Sequence, residues 1–123
     1  MNVVLIDNNI SVLEELVGIV RGILPTSTIS SFKDPMLAVK HVYNNPTDIV
    51  ISEIKTRPVS GFDVLRNLHK IRPEMLVVLL SDEPSHESKA LEYGADGFLS
   101  QPVKAETLSE LIEKIDGYRP LDV

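Results

Sequence analysis

Short unbroken apolar runs alternate along this chain with stretches in which apolar residues recur every three or four positions. Val3-Val4-Leu5-Ile6 is such a run, closing on Asp7, the pattern of a strand buried on both faces. From Ser11 the period lengthens: Leu13, Leu16, Val17, Val20, Ile23 and Leu24 fall on one helical stripe, which Pro25 ends. Ser11 to Glu14 fits a capping box, and Asn9 is an equally good cap. Thr28 to Phe32 reads as a weaker strand near a sheet edge, and Asp34-Pro35 opens a helix with apolar positions at Leu37, Val39, Val42 and Tyr43.

The alternation continues. Asp48 to Glu53 is a third strand, again ending in an acid, and a loop through Arg57-Pro58-Val59-Ser60-Gly61 leads to a helix carrying Phe62, Val64, Leu65, Leu68 and Ile71. Met75 to Leu80 is a fourth buried strand and Glu83 to Tyr93 a fourth helix, with Gly94 as its C-cap. Gly97-Phe98-Leu99 is a short fifth strand, and Leu108, Leu111, Ile112 and Ile115 stripe a last helix. This is a (βα)5 pattern over residues 1–117, with 118–123 a tail or the start of a linker. It implies an α/β fold: a parallel sheet in three doubly wound layers, joined by right-handed crossovers. Ligands of such sheets sit beyond the carboxyl ends of the strands. The residues there are Asp7 and Asn8, Glu53 to Lys55, Ser81 and Asp82, and Ser100 to Pro102.

Composition narrows the chemistry. The 123 residues carry 12 basic and 18 acidic side chains, a net charge of −6, which disfavours direct binding of nucleic acid. The absence of cysteine excludes disulfides and thiolate chemistry, and no apolar run is long enough to span a membrane. A cytoplasmic protein is expected, since the N-terminus lacks the basic-then-apolar order of a signal peptide. No GxGxxG, GxxxxGK[ST] or GxSxG motif follows any strand, and Asp7-Asn8-Asn9 does not supply the DxD of a haloacid-dehalogenase-like phosphatase. An enzyme is not expected. His41, His69 and His86 have no ligand spacing and read as solvated surface.

The strand ends carry a resemblance. The VVLIDNN opening, the DIVISEI…SGFDVLRNL segment, the VVLLS strand and the YGADGFLSQPV…L ending together resemble the receiver domain of bacterial two-component response regulators, from Val3 to Ile115. The resemblance implies a CheY-like, flavodoxin-like fold with strand order 2-1-3-4-5. It also implies a phosphorelay role in which an Asp ending the third strand accepts a phosphoryl group beside a Mg2+ ion.

Position by position the match is incomplete. Asp7 matches the first metal-binding acid, but the second is Asn8, and the phosphoacceptor position holds Glu53. Ser81 stands at the switch hydroxyl and Phe98 at the switch aromatic; Gln101 replaces the family's lysine, while Pro102, whose bond is often cis in the family, is kept. Lys55 occupies the position of the metal-binding carbonyl and, folded inward, would bring an ammonium to the pocket. Asp7, Asn8, Glu53 and Gln101 sum to −2, the charge of an ordinary pocket, without its phosphoryl-clamping cation. The extra methylene of Glu53 displaces the attacking oxygen by about 1.5 Å in a reaction that depends on in-line placement. The expectation is a pseudo-receiver that signals independently of phosphorylation. No cofactor is expected, although a weak Mg2+ site on Asp7 and Glu53 is left open.

The longer Glu53 side chain is also placed to reach Ser81 or Gln101 and imitate a phosphoaspartate. A ligand-sensing variant would instead bind an anion near Asn8, Lys55 and Gln101. The expected partners are proteins: a cognate kinase, an effector domain or a second copy. They would meet the face of the fourth helix, fifth strand and fifth helix, roughly Glu87 to Tyr93, Phe98 and Glu106 to Lys114.

Overall fold

The computed structural model describes residues 1–116, so the expected tail at 118–123 lies outside the described residues. Five strands, β1 (Asn2–Ile6), β2 (Thr28–Phe32), β3 (Ile49–Glu53), β4 (Leu76–Ser81) and β5 (Gly97–Ser100), alternate with five helices. The helices are α1 (Ile10–Ile23), α2 (Pro35–Asn44), α3 (Gly61–Ile71), α4 (His86–Glu92) and α5 (Ala105–Asp116). All strand pairs are parallel, in the order β2-β1-β3-β4-β5. The order reverses at β1, and the carboxyl ends of β1 and β3 lie side by side, Ile6 pairing with Ser52.

The period-2 geometry of the strands divides the core in two. Val4, Ile6, Val50, Val77 and Leu79 face one way, onto Ala38, Val42, Val64, Leu65, Leu68 and Ala90 of α2, α3 and α4. Val3, Leu5, Ile49, Ile51, Val78 and Leu80 face the other way, onto α1 and α5 through Leu13, Leu16, Val20, Leu108, Ile112 and Ile115. Both faces of β1, β3 and β4 are covered, which explains their continuous apolar runs.

Several boundaries differ from the sequence reading. Asn9 caps α1, its Oδ1 accepting from the backbone of Ser11 and Val12, so the Ser11–Glu14 box is not used. The box that does form is at α3: the Ser60 hydroxyl accepts the Asp63 N–H while the Asp63 carboxylate accepts the Ser60 N–H. α4 starts at His86, three residues later than expected. In α2 the buried stripe is Pro35, Ala38 and Val42; Leu37 and Tyr43 are turned outward, 56% and 68% exposed. Their spacing of six residues cannot hold both on the face centred on Ala38 and Val42.

Candidate functional site

The carboxyl ends of β1, β3, β4 and β5 bring together Asp7, Asn8, Glu53, Lys55, Ser81 and Gln101. Asp7 is buried, and its Oδ1 accepts the Asn9 N–H at 2.8 Å. Burial raises its pKa; the Asn9 bond and a side-chain bond from Gln101 pull the other way. Gln101 lies beside the first acid, at the position where the resemblance places lysine. The bond that follows it, Gln101–Pro102, is cis, and Arg57–Pro58 is cis as well.

Asn8 is exposed and ties three segments together. Its Nδ2 donates to the carbonyls of Lys33 at 2.7 Å and Arg57 at 3.0 Å, and its Oδ1 accepts the Arg57 N–H at 2.7 Å. The one oxygen that this side chain could offer a cation already accepts one hydrogen bond.

Glu53 is only 8% exposed. Its Oε1 accepts the Lys55 N–H at 3.1 Å, while Oε2 is buried without a hydrogen-bond partner. Burial, aided by the negative charges of Asp7 and Asp82, pushes its pKa up to about 7 against the opposing Lys55 N–H bond and ammonium. Neither Ser81 nor Gln101 pairs with it, so the expected imitation of a phosphoaspartate through those two side chains is not formed. Gly61 makes the close packing here possible: its N–H donates to Ile54 O at 2.8 Å, and a Cβ on it would lie 2.5 Å from the Glu53 carbonyl oxygen.

Lys55 does not fold inward. Its Nζ lies 2.8 Å from Asp82 Oδ1 and 3.3 Å from Glu83 Oε2, on the exposed rim. Two carboxylates outside the pocket outcompete the buried Glu53, whose own charge is suppressed by desolvation. This removes the cation that an anion site near Asn8 and Gln101 would need. A divalent ion has a different set of donors. Asp7 and the free Oε2 of Glu53 fit a two-carboxylate Mg2+ site, an ion that commonly binds one or two carboxylates and keeps its waters. Asn8 adds no charge to it, and among the described residues no cluster of three or more His, Asp or Glu side chains suits a metal.

Ser81 is fully buried, but its hydroxyl is turned to α4: Oγ accepts the Glu83 N–H at 3.0 Å and lies 2.8 Å from His86 Nδ1. His86 Nε2 in turn lies 3.0 Å from Glu83 Oε2. Only 25% of the His86 side chain is exposed, and its ring meets Phe62 edge-on at 6.0 Å. The reading of all three histidines as solvated surface is corrected: His41 and His69 are half-buried too, His41 lying 5.1 Å from the Phe32 ring. Sequence reasoning missed His86 because helical periodicity places residue 86 only relative to its own helix. Phe98 is half-buried against the core and, with Glu87, Gln101, Pro102 and Lys104, lines a groove of about 370 Å³.

The sequence matches the response regulator receiver domain family over residues 3–113. It is 26% identical over 113 residues to the cyclic di-GMP phosphodiesterase response regulator RpfG of Xanthomonas campestris, covering 88% of this chain and 30% of that protein. The chain spans between 30% and 38% of the length of the curated relatives it matches. Among solved structures, a response regulator receiver domain protein from Clostridium thermocellum superposes with a TM-score of 0.84 at 25% identity, over 94% of both chains. The chemotaxis response regulator CheY4 of Vibrio cholerae shares the fold, with a TM-score of 0.82 at 19% identity over 93% of this chain and 97% of its own.

Proposed function

The chain belongs to the response regulator receiver family, and from that premise we propose that it is a pseudo-receiver, a two-component signalling module that works without phosphorylation. The observation that carries this reading is the state of Lys55. With glutamine at position 101, Lys55 is the nearest candidate to clamp a transferring phosphoryl group at Glu53, and it is committed to Asp82 and Glu83 instead. Phosphoryl transfer rests on positioning and electrostatic stabilisation, so a displaced nucleophile without its cation loses most of both. A Mg2+ ion held by Asp7 and Glu53 would neutralise that pair without replacing the clamp.

Receiver domains of this family interact with proteins such as kinases and effector domains. In this chain the contact surface is the α4–β5–α5 face, supported by the groove beside Phe98 and by the exposed Leu91 on α4. The domain acts in the cytoplasm, and no helix among the described residues is long and apolar enough to cross a membrane. The test is an amide NMR titration with Mg2+ followed by beryllofluoride, a phosphoryl mimic. Any Mg2+ shifts are expected to stay beside Asp7 and Glu53, and beryllofluoride is expected to add none. Saturable shifts at Asp7, Glu53 and Ser81 that spread to Phe98 would overturn the reading.

A further inference from the structure

The Ser81 hydroxyl has one proton to give and two lone pairs to receive with. One lone pair takes the Glu83 N–H, and the remaining close neighbour is His86 Nδ1 at 2.8 Å. Which of the two donates follows from the far side of the ring. His86 Nε2 faces the Glu83 carboxylate at 3.0 Å, and an ionised carboxylate only accepts, so Nε2 carries a hydrogen. In the neutral ring Nδ1 is then a bare acceptor, and the Ser81 O–H must donate to it.

We propose that His86, oriented by Glu83, is a positioning residue that takes the only proton of the Ser81 hydroxyl and so withholds that hydroxyl from the acidic pocket. The inference deepens the pseudo-receiver reading: the switch hydroxyl is governed by the state of a histidine on α4 and not by a phosphoryl group at Glu53. Protonation of His86 reverses the bond. Nδ1 becomes a donor, Ser81 accepts from both neighbours, and its own proton is released. The charged groups around the ring are Glu83 and Asp82 from the β4–α4 loop, Lys55 from the β3–α3 loop holding both, and Lys89 on α4; α3 contributes the neutral Phe62 ring. Glu83 Oε2 therefore faces both the Lys55 ammonium at 3.3 Å and the His86 Nε2–H at 3.0 Å.

Long-range proton–nitrogen NMR of the His86 ring reads this arrangement directly. In the wild-type chain with His86 neutral, the Nε2–H tautomer is expected to exceed Nδ1–H by about tenfold or more, since a hydrogen bond to a charged group contributes roughly 1.5–3 kcal/mol. Glu83→Ala loses that preference, and Glu83→Gln, which keeps an acceptor oxygen, retains most of it. His86→Phe preserves the ring contact with Phe62 but removes the acceptor, so Ser81 changes from one side-chain rotamer to an average, measured by its Hα–Hβ couplings. A dominant Nδ1–H tautomer in wild type, or an unchanged Ser81 rotamer in His86→Phe, overturns the proposal. The beryllofluoride titration fails or succeeds separately: a positive response there with the Nε2–H tautomer in place would sink phosphorylation independence and leave the histidine's role standing.

Discussion

Asn8 holds Arg57 by both ends of its side-chain amide, accepting the Arg57 N–H at 2.7 Å and donating to the Arg57 carbonyl at 3.0 Å. The second amide hydrogen goes to Lys33, so one side chain joins the loops that follow β1, β2 and β3. Asn8→Asp would restore the family's second acid but cannot donate. We expect it to lose the two donated bonds, about 1 kcal/mol for an exposed site and roughly 3 °C in the thermal midpoint without added metal. Thermal unfolding in the presence of a chelator measures this, and an unchanged midpoint would show that the clasp contributes nothing.

Glu53 makes stability depend on pH. Its folded pKa is raised from an ordinary 4.5 to about 7. Between those values the unfolded chain is ionised while the folded chain keeps its proton, so stability falls as pH rises through this window and levels off above it. Glu53→Gln should remove most of this slope, leaving a smaller one from Asp7, whose pKa is also raised. Above pH 7 the variant should be the more stable by about 2 kcal/mol, after discounting for solvent relaxation. Denaturant unfolding at several pH values distinguishes the two slopes.

The ammonium of Lys55 acts on Glu53 from a distance, lowering its pKa while bonded elsewhere. Lys55→Met should therefore move the Glu53 titration higher still and let Asp82, now held below its ordinary value by Lys55, return upward. The thermal midpoint should scarcely change, because the ion pair lies in solvent. Carboxyl-carbon NMR reads both titrations in one sample.

Glycine substitutions should divide by site. A Cβ at position 61 would meet the Glu53 carbonyl oxygen at 2.5 Å and Ile54 Cα at 2.8 Å, both backbone atoms. Gly61→Ala should cost about 3 kcal/mol or more and disturb the Glu53 signal. Gly18 and Gly22, on the outer face of α1, have nothing within 4 Å of such a Cβ. Alanine at each should stabilise by roughly 0.5–1 kcal/mol through helix propensity. Unfolding curves of the three variants check the ordering.

A Mg2+ ion held by Asp7 and Glu53 would compete with a proton for the same oxygen. Its binding should weaken as pH falls through 7, where Glu53 takes up a proton, and chelation should leave the midpoint of the folded domain unchanged. Calorimetric titration on both sides of that pH tests the first statement and a chelator melt the second.

The strands were legible because both faces of β1, β3 and β4 are covered, so burial writes itself into the sequence as continuous apolar runs. The resemblance supplied their order, and the structure reproduces it. Asp7, Glu53 and Ser81 were legible as strand-end residues, and the structure places all three at the carboxyl ends of adjacent strands. What was not legible depends on side-chain competition across loops. Lys55 chose between an inner carboxylate and two outer ones, and desolvation of Glu53 decided it. His86 bonds to a residue five positions away on a strand, a relation that neither a period of two nor one of 3.6 reports.

The outermost strands carry a consequence for association. β2 presents Thr28 and Ser31 to solvent and holds only Ile29 and Phe32 as apolar residues, and β5 at the other edge is four residues long. Open edges that are short or polar are poor templates for another chain's backbone. Growth of the sheet by strand addition is thereby disfavoured, and edge-to-edge aggregation with it.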